Sequence, residues 1–332
     1  MLRALVLLVF SLLALAHAPA AEARCNGSDM RSAMSAPQRT ALQRAAAAVP
    51  FGSGNHWIAR KGDRQINVIG TMHVNDPRFG AVVRRLAPVI TSADLVLFEV
   101  TRKQARAFWD NLDASSANLF LIGTGPTLDK LLPAEAWDTL WKKARNAGIA
   151  PSTAKRIKPW FLTFYLADEN CSPRGLFAAN GLDRRIEKLA RRSRVPIGSL
   201  ETVSEAILPL SRRPIRDQLR MMEFDTGSTA RNETLFVTMR ETYFEEASAE
   251  GDILEQRQFL SALQGPRGEA ERLWRNYRDD LLNTRNRAWL PRILGAPGQR
   301  IVVTVGAAHL PGETGVLRLL ERAGYRLERA AF

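Results

Sequence analysis

The sequence predicts an α/β fold, with a central mixed sheet built from both ends of the chain, flanking helices, and a helical insert from the middle, about residues 101–292. Three observations predict it. Apolar runs of strand length lie near both ends, and two of them lead directly into a glycine. Helical spacing dominates the middle. Neither end alone offers enough strands for an independent sheet, so the two ends must meet in one.

Along the chain, Met1-Leu2-Arg3 and the apolar run from Ala4 to Leu15 give a charged start and a stretch too brief for a membrane span. This reads as a signal peptide, residues 1–23, with small-residue cleavage sites after Ala20 or Ala23, and it leaves residues 24–332 as one domain. The expected location is the periplasm or the exterior, and no later segment has the look of a span. Cys25 and Cys171 would meet an oxidising compartment there, and the sequence leaves open whether they pair.

From His56 to Gly70 the pattern is a hairpin turning at Lys61-Gly62-Asp63 and ending in Ile66-Asn67-Val68-Ile69. Asp76-Pro77 opens a helix to about Val89, with Val82, Val83, Leu86 and Val89 at helical spacing. Asp94 to Glu99 is a buried strand that stops on a carboxylate. In the middle, helices are expected over Pro133–Ala147, Lys155–Asp168 and Thr229–Glu250, with one strand interrupting them at Val195–Glu201, again ending on a carboxylate. Arg300 to Val305 is a β-branched strand delivering Gly306, followed by a helix from about Glu313 to Ala323 and a short strand near Tyr325–Leu327. A strand, a Gly-X-X-His tetrad, a loop, a helix and a strand thus occur once at each end, an echo that suggests two equivalent halves of one sheet.

A formal net charge of +13 raises nucleic acid as a partner, but the arginines are scattered. Doublets such as Arg84-Arg85 and Arg191-Arg192 read as exposed helix faces, and an exported chain seldom meets nucleic acid. The expected partner is a peptide or other small envelope substrate.

Outside the leader the chain has three histidines, His56, His73 and His309, and two of them sit in matching tetrads, Gly70-Thr71-Met72-His73 and Gly306-Ala307-Ala308-His309. A strand running into such a tetrad puts the imidazole beyond the strand's carboxyl end, where open α/β sheets place ligands. The glycine is expected to let the chain turn away sharply. Glu99 is the natural third member, on a strand expected beside the one carrying His73. Imidazoles with a carboxylate suit a divalent ion, zinc among them, and Glu99 would be either a ligand or a general base. No nucleophile elbow, phosphate-binding loop, Cys-X-X-Cys pair or His-Glu-X-X-His helix occurs, and Gly123-Thr124-Gly125-Pro126 reads as a turn.

With those residues in place, the sequence resembles the TraB/GumN family, related to the Tiki metalloproteases and more distantly to erythromycin-esterase-like and ChaN-like proteins. The segments that carry the resemblance run from Val68 to Val74, Leu97-Phe98-Glu99, Lys158-Pro159-Trp160, Gly181-Leu182-Asp183, Leu200-Glu201-Thr202, Arg285 to Trp289, and Val305 to Gly312. The resemblance implies His73, Glu99 and His309 as the catalytic, metal-holding set and manganese or cobalt as the ion. It also brings forward Asp183, Glu201 and Arg285 as supporting positions, the arginine either holding Glu99, stabilising oxyanion charge or making an ordinary salt bridge. The expected function is an exported metal-dependent, peptidase-like hydrolase; the alternatives are a non-catalytic binder of a peptide or glycan and a metal-independent esterase-like hydrolase. The Thr229–Glu250 helix, with Met221, Met222, Phe236, Met239 and Phe244 nearby, is either a lid over the site or a plain packing face.

Overall fold

The computed structural model describes residues 25–113, 116–166, 171, 180–226 and 228–332; the leader reading lies outside them. Six strands form one mixed sheet: β1 (His56–Lys61), β2 (Arg64–Thr71), β3 (Leu95–Phe98), β4 (Ile197–Ser199), β5 (Arg300–Gly306) and β6 (Arg326–Arg329). Their order across the sheet is β4-β3-β5-β2-β1-β6. The two ends of the chain interleave, because β5 slots between β2 and β3 and pairs parallel with both. β1 and β2 are the expected hairpin, antiparallel, with Gly62 at the turn in the left-handed region that glycine tolerates (φ 56).

Both faces of the sheet are covered, which explains why its central strands read as continuous apolar runs rather than alternating ones. On one face Ile66, Val68, Leu97, Ile301, Val303 and Val305 pack under the helices Thr284–Leu294 and Val316–Arg322. On the other, Ile69, Val96, Phe98 and Val302 pack against Phe79–Thr91 and Leu182–Arg192. The two echoing units therefore carry their helices on opposite faces. Right-handed crossovers require this, since the β2-to-β3 connection and the β5-to-β6 connection travel across the sheet in opposite directions.

The insert has cores of its own, one around Phe120, Trp160 and Phe161, another around Phe224, Phe259 and Trp274. Several boundaries move from their expected places. The helix after Asp76-Pro77 starts only at Phe79, because Asp76 first caps a turn by accepting from the Arg78 amide at 2.9 Å. No helix begins at Lys155: Ile157 bridges Leu121, and Pro159, which lacks an amide proton, takes the first position of the Pro159–Tyr165 helix. The long Thr229–Glu250 stretch divides into Thr229–Phe244 and Ser248–Ala262 around Glu246, whose φ of 56 interrupts the helix.

Cys25 and Cys171 are joined, with Cα atoms 4.6 Å apart. Among the described residues no helix is long and apolar enough to cross a membrane. The doublets Arg84-Arg85 and Arg191-Arg192 are exposed, as expected.

Phe79 is fully buried between Tyr243 and Phe244, with ring centroids 6.0 and 5.1 Å away. Phe79→Ala is expected to cost roughly 3–5 kcal/mol, read as a lower urea midpoint; an unchanged midpoint would deny that Phe79 anchors the Phe79–Thr91 helix to the Thr229–Phe244 helix.

Candidate active site

Strands β4, β3, β5 and β2 run parallel, so their carboxyl ends share one rim of the sheet. Along that rim, in order, stand Glu201, Glu99, the tetrad ending in His309 and the tetrad ending in His73. This corrects one expectation: Glu99 leaves the strand beside His309's, and β5 separates it from His73's. Convergence survives, because loops at one rim reach over their neighbours.

The glycines of the tetrads owe their place to space rather than to a turn, since neither adopts a positive φ. A Cβ on Gly70 would lie 3.1 Å from the Cα of Ala307, so each tetrad leaves room for the other. A Cβ on Gly306 would stand 3.4 Å from Glu99 Oε1, 3.5 Å from His309 Cδ2 and 4.0 Å from His73 Nε2. Three functional groups thus surround one small volume.

Each of them is held from behind. His309 sits in a 3₁₀ turn, Ala307–His309, stacked on Trp289 at 4.5 Å. Its Nδ1 lies 2.6 Å from Asn286 Oδ1. Asn286 donates through Nδ2 to the carbonyls of His309 and Thr314, so its oxygen must accept from the imidazole. Nδ1 therefore carries the proton and Nε2 offers its lone pair inward. Burial, with Arg285 close by, depresses His309 to about 3 against the opposing charge of Glu99, which keeps it neutral near pH 7.

His73 is more open, its side chain 40% exposed, and Nδ1 lies 3.3 Å from Asp183 Oδ1. Burial lowers its basicity, but Asp183 outweighs that and raises it. Asp183 reaches His73 because the Leu182 amide donates to the Met72 carbonyl at 3.0 Å. Gly181 permits this approach: a Cβ there would lie 2.5 Å from that same carbonyl oxygen. On the far side of β2, Tyr243 donates its hydroxyl to the Gly70 carbonyl at 3.0 Å.

Glu99 accepts from the Gly306 amide at 2.6 Å and from Arg285 Nη2 at 2.7 Å. Burial alone would raise its carboxyl; the Arg285 charge reverses that and holds it well below the usual carboxylate range. Arg285 also donates from Nε to Glu201 at 3.0 Å and from Nη1 to the Leu281 carbonyl at 2.8 Å, and Nη1 stands 3.4 Å from His309 Nε2. Glu201 is 4% exposed, and burial pushes its carboxyl upward despite the arginine. Two buried carboxylates face one guanidinium, so the cluster lacks one positive charge whenever both are ionised.

Residues 55–329 match the TraB/PrgY/gumN family. This chain belongs to that family. It is similar to the uncharacterized protein YbaP of Escherichia coli (strain K12), 24% identical over 273 residues, which span 80% of this chain and 94% of that protein. The uncharacterized protein YbaP of Shigella flexneri aligns with the same identity and coverage.

The family segments now have physical roles. All six residues singled out in the sequence, His73, Glu99, Asp183, Glu201, Arg285 and His309, gather at the rim, and all but the deeply seated His309 line one cavity of about 240 Å³. Thr71 Oγ1, buried there, meets no hydrogen-bond partner among the described residues, whereas Asp183 Oδ1 is taken up by His73.

Among the described residues no three His, Cys, Asp or Glu side chains close tightly enough to form a ready cation shell; His309 Nε2 and Glu99 Oε1 are 3.8 Å apart. The donor chemistry nonetheless fits a divalent ion: two imidazoles whose outer nitrogens are anchored, one carboxylate, and an unbalanced negative charge.

The sequence did not single out Asn286, which lies beside Arg285 and whose only signal was its place in a family segment. It also missed the aromatic wall of the cavity, except Trp160 in Lys158-Pro159-Trp160. Met221, Phe236 and Met239 line not this cavity but an adjoining one of about 390 Å³ that shares Trp160, Phe164 and Leu210 with it, Met222 packs in the insert core and Phe244 packs on Phe79, which favours the packing face. His56 is structural, its ring nitrogens 2.8 Å from the Ala331 carbonyl and 3.1 Å from Asn67 Oδ1.

Gly181→Ala is expected to destabilise the fold by about 1–3 kcal/mol and to speed amide exchange in residues 70–73 and at Leu182. If exchange there is unchanged, the close approach that carries Asp183 to His73 is not needed.

Proposed function

We propose that this family member is an exported metal-dependent hydrolase, peptidase-like, in which His73, His309 and Glu99 hold a divalent ion. Manganese or cobalt follows from family resemblance, and zinc from the ligand types. One observation carries the reading: the three donors surround the volume beside Gly306, and each is anchored on its outer side, by Asp183, Asn286 and Arg285 respectively. Outer partners of this kind fix the tautomer and orientation of ligands. The leader sequence supports the periplasm or exterior as its location.

A bound divalent ion supplies Lewis acidity, which makes water a nucleophile near neutral pH. The protein supplies the rest. Glu99, held ionised by Arg285, suits a ligand better than a general base. Glu201, whose ionisation burial disfavours, is the carboxyl able to carry a proton. Arg285 places fixed positive charge where an oxyanion develops, in a site where little water competes.

A second reading is a metal-independent hydrolase. It is favoured by Arg285, which already neutralises Glu99 and reaches His309 Nε2, and by Asp183, which backs His73 as it would a general base.

Elemental analysis and a peptide library assayed with manganese, cobalt and zinc separate these readings. The parent is expected to bind a stoichiometric ion and to lose turnover on chelation, and His73→Ala and His309→Ala to lose both ion and turnover. Asn286→Ala, which frees the His309 ring, is expected to weaken ion affinity roughly 10–100-fold. Turnover that survives chelation would move the assignment to the metal-independent reading. If the parent binds no ion and cuts nothing, a non-catalytic binder is left.

A further inference from the structure

The cavity over the rim has two chemically distinct ends. Its polar end is the site just described. The remaining wall is apolar and largely aromatic, built from Trp109, Phe120, Trp160, Phe161, Phe164 and Leu210. These rings pack on one another, with Phe120 and Phe161 centroids 4.8 Å apart and Phe120 and Trp160 centroids 5.9 Å apart, so the wall is a braced surface. Trp160 donates its indole N–H to the Leu119 carbonyl at 3.1 Å, so it offers a ligand no polar group.

The dimensions narrow the occupant. About 240 Å³ takes one bulky side chain with its flanking backbone, and falls short of the 300–1,000 Å³ typical of sites for drug-sized ligands. At the polar end the buried Thr71 Oγ1 has no hydrogen-bond partner among the described residues. A sugar chain would need hydrogen-bonding groups along the walls as well, and those named above are apolar.

We infer that the cavity is a specificity pocket for a bulky apolar side chain, aromatic or branched aliphatic, borne by a peptide whose adjoining amide lies against His73 and Glu99. The inference rests on the hydrolase reading for the word peptide and on the cavity alone for the word apolar. Ala206 and Ile207, half-buried on the Val203–Arg212 helix, also line the cavity and limit how large a group it admits.

The test is calorimetric binding of short blocked peptides identical except for one residue, Phe, Leu, Ser or Asp, to the full chain, alongside a cleavage assay on the same peptides. Burying an apolar side chain of this size is expected to tighten binding by at least about tenfold for Phe and Leu over Ser. Ala206→Phe, which fills the pocket from a position outside the polar site, is expected to erase that preference while leaving the Ser peptide's affinity unchanged. Should Ala206→Phe fail to fold, Ala206→Leu is expected to remove the Phe preference ahead of the Leu preference. Equal affinity for all four peptides overturns the inference, as does binding of an oligosaccharide but of none of the peptides. The cleavage arm keeps the two readings apart: apolar preference without cleavage sinks the hydrolase and keeps the pocket, whereas cleavage without preference does the reverse.

Discussion

Arg285 lies in a buried fork between Glu99 and Glu201, its side chain 13% exposed, and the rim of the sheet is organised around it. Charge buried this deeply is tolerated only when paired and hydrogen-bonded, and removing one partner of such a set typically costs roughly 3–5 kcal/mol. The fork spends its donors on two carboxylates and the Leu281 carbonyl, so the ends of β3 and β4 are tied to the Thr284–Leu294 helix. That helix also presents Asn286 to His309 and packs Trp289 against both the imidazole and the guanidinium. One short helical segment thus sets the orientation of a carboxylate and an imidazole that come from different strands.

The opposite side of the site is held by different means. His73 is placed by a backbone clamp, in which the start of the Leu182–Arg192 helix is pressed onto the Met72 carbonyl while Tyr243 holds the Gly70 carbonyl. The absence of a side chain at Gly181 makes the clamp possible, since a Cβ there would meet the Met72 carbonyl, and Gly70 leaves room for the backbone of Ala307. The two tetrads look alike in sequence, yet one histidine is buried, neutral and backed by an amide, whereas the other is open and backed by a carboxylate. This asymmetry suits unequal roles at one centre.

Much of the fold was legible because its signals are local. The β-branched run Arg300–Val305, the apolar run ending at Glu99 and the hairpin before Gly70 declare themselves through residue type and length, and all three are strands. The paired tetrads pointed to a shared rim because a strand's end is a predictable place. Helix starts in the insert were less legible, since Pro159 and Glu246 override a polar periodicity that continues through them. The lateral order of strands was not legible: Gln65 pairs with Arg300 across the whole insert, and nothing local records which neighbour a strand will take.

The sequence by itself placed His73, Glu99, Glu201 and His309 at the rim, because each stands within a few residues of a strand's carboxyl end, and it required both ends of the chain to make one sheet. Only the tertiary structure decided that β5 lies between β2 and β3, that Asn286 sets the tautomer of His309, and that aromatic rings from the insert wall the cavity. Those facts depend on contacts between segments tens to hundreds of residues apart. Such contacts are selected by the packing of whole faces rather than by the preference of any residue for its neighbours in the chain.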